Sequence, residues 1–454
     1  MTDDSTSFLF STPELLRIFS LPAQLRAMMR FEWALTCALE KQGIAHAGSG
    51  VILERLLDAS FADLEALQTA ALDAGNIAIP FIHQLTAEVK NINEGASRAI
   101  HLGATSQDVL DTALVLQMRE ALGQILPAID RLDAALTKQV RMHAETVLTG
   151  RTWLQPGPPT TLGLKLAGTL SALRRHRIRI KSAAKRALVL QFGGAVGTLS
   201  ALGSAGAEAS REVAGILELR ESDLPWHTQR DNLVEVAAAL ALLSGSLGKL
   251  AKDVALLMQA EVAEASESAM EGRGQSSTMP QKRNPVACAA VLACVTRIPG
   301  LVATLLSAMP QEHERGLGLW QAEWAALPEV FKLTAVVLAQ SVQIVEELEV
   351  DALQMRSNLH SRLGLAQAEA VSVTLTEKLG RSLAHDLIRK AVGRVNETGQ
   401  HLSSVLETMP EVTAHLSAKE IDRLLDPRAY LGSARRFIDR VLDDTQLKED
   451  HRHE

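Results

Sequence analysis

Four polar segments of this 454-residue chain carry groups suited to holding an anion, and each interrupts or ends an apolar stretch. The first is H-L-G-A-T-S-Q-D-V-L-D-T, His101 to Thr112. Thr105, Ser106 and Asp108 stand where a helix would begin, so they read first as caps. Free N–H groups and the helix dipole at such an end also favour a carboxylate, and His101 adds a titratable donor. The second segment is G-R-T-W-L-Q-P-G-P-P-T-T, Gly150 to Thr161, and the third is P-W-H-T-Q-R-D, Pro225 to Asp231. The fourth, G-Q-S-S-T-M-P-Q-K-R-N-P, runs from Gly274 to Pro285. Gly272 and Gly274 flank Arg273 before two serines, a stretch expected to act as a mobile lid. Beyond it Met279-Pro280 and Asn284-Pro285 fix the chain, so Lys282 and Asn284 would present a cation and an amide to one ligand.

Long helices are expected to position these segments. Aromatic residues are only 3%, with a single Tyr, while Ala and Leu dominate, which disfavours sheet. Leu233 to Met258 is apolar or small on nearly every side, the pattern of a helix buried all round. Glu235, Lys249, Lys252 and Asp253 make it too charged to span a membrane. Helical periodicity recurs at 109–147, 160–190, 286–307 and 329–359, separated by Gly- and Pro-rich breaks at 150–159, 191–198 and 271–285. No stretch alternates with period two over several strands. The length exceeds one hydrophobic core. An all-α protein of three helical domains follows: a small one at 1–99, a long central helix bundle at 100–359 and another small one at 360–454.

Composition excludes several function classes. A net charge of −7 does not suit a nucleic-acid coat, and the basic run R-R-H-R-I-R-I-K at Arg174 to Lys181 reads as a solvated helix face rather than an anion-binding patch. Cys37, Cys288 and Cys294 fit neither a disulfide framework nor a zinc site, and read as small core residues in a reducing cytoplasm. The acidic start M-T-D-D-S-T-S lacks the apolar run of a signal peptide. A cytoplasmic enzyme with no metal, cofactor, membrane or nucleic-acid partner is the expectation.

Taken together and in this order, the four segments resemble the fumarase/aspartase superfamily from about Ser11 to Gly432, with Gln275 where the family usually has Gly. The resemblance implies β-elimination or its reverse beside a substrate carboxylate. By it, Ser276 corresponds to the catalytic base. Lys282 and Asn284 correspond to the groups that stabilise the aci-carboxylate, with Ser277 and Met279 beside them. His101, Thr105 and Ser106 correspond to one substrate-binding region and Thr152 and Gln155 to a second, in which Arg151 and Trp153 are the neighbouring substrate-binding candidates. Thr228 and Gln229 resemble a third, and Arg315, in Q-E-H-E-R-G-L-G, a substrate-anion ligand. The implied assembly is a homotetramer with active sites shared among three subunits.

One departure narrows the chemistry. The family's lyases read G-R-T-H in the second segment, and that histidine serves the leaving group; here the position is Trp153. Indole N–H donates a hydrogen bond but exchanges no proton near neutral pH. Hydroxide or an amine needs protonation as it leaves, whereas a carboxylate, whose acid has a pKa of about 4, does not. A carboxylate leaving group means that the bond broken, or in reverse formed, belongs to a lactone. The resemblance to the lactone-forming cycloisomerases of the superfamily therefore implies a small tricarboxylate substrate, to which Arg151, Lys282 and Arg315 could attend. Lys282, amide groups and helix N-termini suffice to hold the developing charge without a metal. Alternatives are an adenylosuccinate- or argininosuccinate-type lyase that has recruited another acid, and a catalytically silent relative. Trp153 could also be an ordinary core residue. His143 reads as structural, with a substitute acid as the alternative, and His227 and His313 are possible anion ligands.

Overall fold

The computed structural model describes residues 7–268, 274, 279 and 282–443. The fold is all-α, built on long helices at Ser106–Met142, Leu162–Ala187, Asp231–Leu257, Val286–Ser307 and Leu319–Glu346. Shorter helices precede them, among which Leu21–Lys41 starts at a Ser20 cap and buries Met28, Met29, Phe31, Leu35 and Leu39. Three of the long helices are long and apolar enough to cross a bilayer, and Asp231–Leu257 is one of them, contrary to the expectation from its charged residues. Asp231–Leu257 and Leu319–Glu346 nevertheless bury 61% and 67% of their apolar window inside the chain, against 28% for Val286–Ser307. Leu242 is 55% exposed, so burial of the 231–257 helix is not completed within one chain.

The chain forms two compact units, each assembled from three stretches. One comprises 1–128, 176–245 and 293–338, and the other 129–175, 246–292 and 339–454. Within the second, helices Ala368–Leu379, Arg381–Thr398 and Leu402–Glu407 close over Val371, Leu375, Ala391, Val395, Leu402 and Leu406.

Two expectations are corrected. The break at 150–159 is the distal part of an antiparallel hairpin, β1 (Val147–Thr152) with β2 (Gln155–Thr161), in which Thr152 pairs with Gln155. Pro156, Pro158 and Pro159 hid it, because proline donates to no ladder; a two-stranded ribbon is all edge and tolerates them. A bulge lies between Thr149 and Arg151, where a Cβ on Gly150 would come within 2.4 Å of the Pro158 carbonyl. The basic run is not a solvated face. Arg174, His176 and Arg177 are buried, and Arg174 Nε donates to Asp133 Oδ2 at 2.8 Å.

Candidate active site

The first polar segment is a tight turn feeding the N-terminus of the Ser106–Met142 helix. His101 takes a left-handed φ of 59°, uncommon for a side chain of its size. Glu32, fully buried in the 21–41 helix, holds it there: Oε2 accepts the His101 N–H at 2.9 Å and Oε1 meets Nδ1 at 2.8 Å. Burial works against charge on this ring, but the Glu32 carboxylate, with a further push from Asp108, carries its pKa above the ordinary histidine value. Thr105 caps the helix in a reversed sense, its N–H donating to Asp108 Oδ2 at 3.0 Å. Its hydroxyl instead accepts from Arg315 Nη1 at 2.7 Å, and Arg315 Nη2 donates to the Ala195 carbonyl at 3.0 Å. The third segment reaches the same loop, since the Thr228 hydroxyl donates to the His313 carbonyl at 3.1 Å. His101, Thr105, Ser106, Thr228, Gln229 and Arg315 thus belong to one unit, with Arg315 and a histidine of raised pKa beside a helix N-terminus.

Buried carboxylates stitch these loops together. Asp108 accepts from the N–H groups of Gly193 and Gly194, from Gln191 Nε2 and from His227 Nε2 at 2.7 Å. His227 is therefore a structural strut at 4% exposure. One helical turn on, Asp111 binds Arg230 through two bonds of 2.7 and 3.0 Å, and Arg230 also binds Glu323. Gln311 Nε2 donates to Glu323 at 2.9 Å, which anchors the loop carrying Arg315. Sequence reasoning took Asp108 as a cap and passed over Asp111, Arg230, Glu323 and Glu32. The available signal was an acid at i and i+3 on a helix that is otherwise apolar, since a charge buried there needs a partner.

A second group lies in the other unit. Ser276 and Ser277, and with them the expected lid, fall outside the described residues. The ends of the segment are fixed: Asn284 N–H donates to the Gly274 carbonyl at 2.9 Å, and a Cβ on Gly274 would meet Asn284 O at 2.5 Å. Gly274 at φ 65° closes the loop because nothing larger fits. Buried Glu267 accepts from the Ala287 and Cys288 N–H groups, capping the Val286–Ser307 helix directly after Asn284-Pro285. Lys282, Asn284 and Met279 line a cleft of 1030 Å³ with Ser266 and Val350. Burial, then Glu267, push the Cys288 thiol far above its ordinary range, and burial lifts Cys294 to about 11; both are inert core thiols.

The hairpin carries the departure. Trp153 is 98% and Leu154 75% exposed, so Trp153 is not a core residue of the chain. Between the paired Thr152 and Gln155 both residues have positive φ, 54° and 62°, the type I′ geometry that normally selects Asn-Gly. A bulky apolar pair held outward in a strained turn is placed for something other than stability. Arg151, in contrast, is engaged below the tip: its Nη1 and Nη2 donate to the fully buried Glu264 at 2.9 and 2.6 Å, and Asn358 Nδ2 donates to the same carboxylate. Thr152 and Gln155 are exposed beside Trp153. Half-buried His143 contacts Thr146 Oγ1 at 3.1 Å, and burial lowers its pKa, so it holds its neutral form.

Residues 11–300 match the family described as lyase, and residues 364–441 the one described as adenylosuccinate lyase C-terminus. The chain belongs to this lyase family, in the fumarase/aspartase superfamily, whose members are typically multimeric enzymes acting on small molecules. Among its relatives, the 3-carboxy-cis,cis-muconate cycloisomerase of Pseudomonas aeruginosa is 48% identical over 95% of this chain and 94% of its own. The crystal structure of the 3-carboxy-cis,cis-muconate lactonizing enzyme from Pseudomonas putida superposes with a TM-score of 0.92 at 46% identity, covering 97% of this chain and 99% of that one. That of the beta-carboxy-cis,cis-muconate cycloisomerase from Acinetobacter calcoaceticus gives 0.91 at 38% identity, covering 97% and 100%.

Proposed function

We propose that this chain is a cofactor-independent, cytoplasmic cycloisomerase that converts 3-carboxy-cis,cis-muconate to 4-carboxymuconolactone, in the protocatechuate branch of the β-ketoadipate pathway. The observation that carries the proposal is Trp153, outward at the hairpin tip where a leaving-group acid would otherwise stand. Relatives named for this reaction, similar over nearly the whole chain, support it. A substrate carboxylate oxygen adds to the β-carbon of a conjugated double bond, forming the C–O bond of the lactone. The displaced electron pair moves onto the carboxylate held by Lys282 and Asn284, the α-carbon takes the proton of the Ser276 hydroxyl, and solvent returns a proton to Ser276, so one proton is taken up as the tricarboxylate becomes a dicarboxylate lactone. Atoms and charge balance without a redox partner. In reverse Ser276 is the base, and the carboxylate departs without needing an acid.

Three carboxylates need cations. Lys282 and Arg315 supply two, His101 a third, and the helix N-terminus at Ser106 adds N–H donors. Thr105, Thr152, Gln155, Thr228, Gln229, Ser277 and Met279 complete the binding set. Arg151, held by Glu264, acts by bracing the hairpin that presents Trp153. We assign a homotetramer with active sites shared between subunits. Its support is the Val286–Ser307 helix, which leaves Ala289, Ala293, Gly300 and Ala303 exposed along one side for close approach of another helix. Consumption of 3-carboxy-cis,cis-muconate by purified protein, with the lactone identified by NMR, tests the reading; turnover of a succinylated nucleotide or amino acid instead would replace it.

A further inference from the structure

We infer that Glu32 is a positioning residue for the proposed reaction, fixing His101 as an imidazolium whose Nε2–H is offered to a substrate carboxylate. This rests on the cycloisomerase reading and names a residue outside the four polar segments. Glu32 lies between Phe31 and Ala34 on a helix whose neighbouring residues Met28, Met29 and Leu35 are also buried. A lone carboxylate there would be costly. Both its oxygens go to one residue, Oε2 to the His101 main chain at 2.9 Å and Oε1 to the ring at 2.8 Å. Holding the left-handed turn needs only the main-chain bond. The second bond fixes which ring nitrogen faces outward, as the partners of functional histidines do.

No described group bonds Nε2, and the side chain is 23% exposed, so one ring nitrogen remains for a ligand, a donor whenever the ring is protonated. Four residues on, Thr105 carries Arg315. Among the described residues Glu32 and Asp108 are the charged groups that act on the ring, and both favour its cation. With the pKa raised, the imidazolium persists above the ordinary histidine range and is lost as pH climbs through the raised value. Tight substrate binding should follow the same course.

Steady-state kinetics of wild type, Glu32→Gln and His101→Gln with 3-carboxy-cis,cis-muconate test this from about pH 6 to about pH 9. Glu32→Gln should raise KM roughly tenfold near pH 8, with kcat changed less, and the gap should close to about twofold near pH 6, where the ring protonates unaided. His101→Gln should show a raised KM that does not vary with pH in this range. A Glu32→Gln penalty that is the same at both ends, or carried by kcat, overturns the inference. Should that variant fail to fold, coincident pH profiles of KM for wild type and His101→Gln would overturn it equally. If wild type does not turn over the muconate, the proposed function fails separately, and calorimetric binding of citrate across the same pH range reads out the Glu32–His101 pair.

Discussion

At the scale of single residues, Ser276 and Trp153 have opposite assignments that mutation separates. Ser276→Ala should lower kcat by roughly a thousandfold, the usual span for a proton-transfer group, while sedimentation of the assembly stays unchanged. Near wild-type turnover would remove Ser276 from proton transfer. Trp153→His restores the family's acid where none is wanted, and should not accelerate lactone formation; a gain above about tenfold would contradict the leaving-group argument. Trp153 was legible in the sequence because it sat inside a matched motif. Glu32 was not, since one acid in an apolar helix does not announce its partner 69 residues away. Arg151 looked like a substrate ligand on charge alone, and only coordinates show Glu264 occupying its guanidinium.

At the scale of elements, the hairpin turn sets stability against function. Its two left-handed residues each cost about 1 kcal/mol relative to glycine. The double variant Trp153→Asn, Leu154→Gly should therefore stabilise the fold by about 1–2 kcal/mol, seen as slower unfolding in denaturant, and lose most activity. A variant both less stable and fully active would contradict the assignment. The Asp111–Arg230–Glu323 cluster works in the other direction. Arg230→Met leaves two buried carboxylates without their cation, and should cost about 3–5 kcal/mol, measured as a lowered denaturation midpoint. The long helices were readable from periodicity, because each buries a continuous apolar face. The hairpin was not, because proline-rich ribbon has neither a period of two nor strand-forming residues over most of its length.

At the scale of the whole molecule, the exposed small-residue side of the Val286–Ser307 helix is expected to be an interface. Ala293 is exposed in the single chain, so Ala293→Glu should leave the protomer fold intact by circular dichroism. Sedimentation velocity should show it dissociating, with activity lost in step; an intact tetramer would place the interface elsewhere. The all-α class followed from composition and pattern, but the stretch expected as one helix at 329–359 is two, Leu319–Glu346 and Ala352–His360, and the partition into two units built from alternating stretches of chain was not legible at all. Contacts between distant segments decide that partition, and periodicity reports only which face of each helix is apolar.

The central claim is that a chain carrying the superfamily's Gly274–Pro285 segment, but tryptophan in place of the leaving-group acid, closes a lactone. The most direct measurement follows the conjugated absorbance of 3-carboxy-cis,cis-muconate after adding purified protein without metal or cofactor. Loss of the diene absorbance at an enzymatic rate, with 4-carboxymuconolactone as the product, is the predicted result. Unchanged absorbance with wild-type protein that is folded and assembled would contradict it.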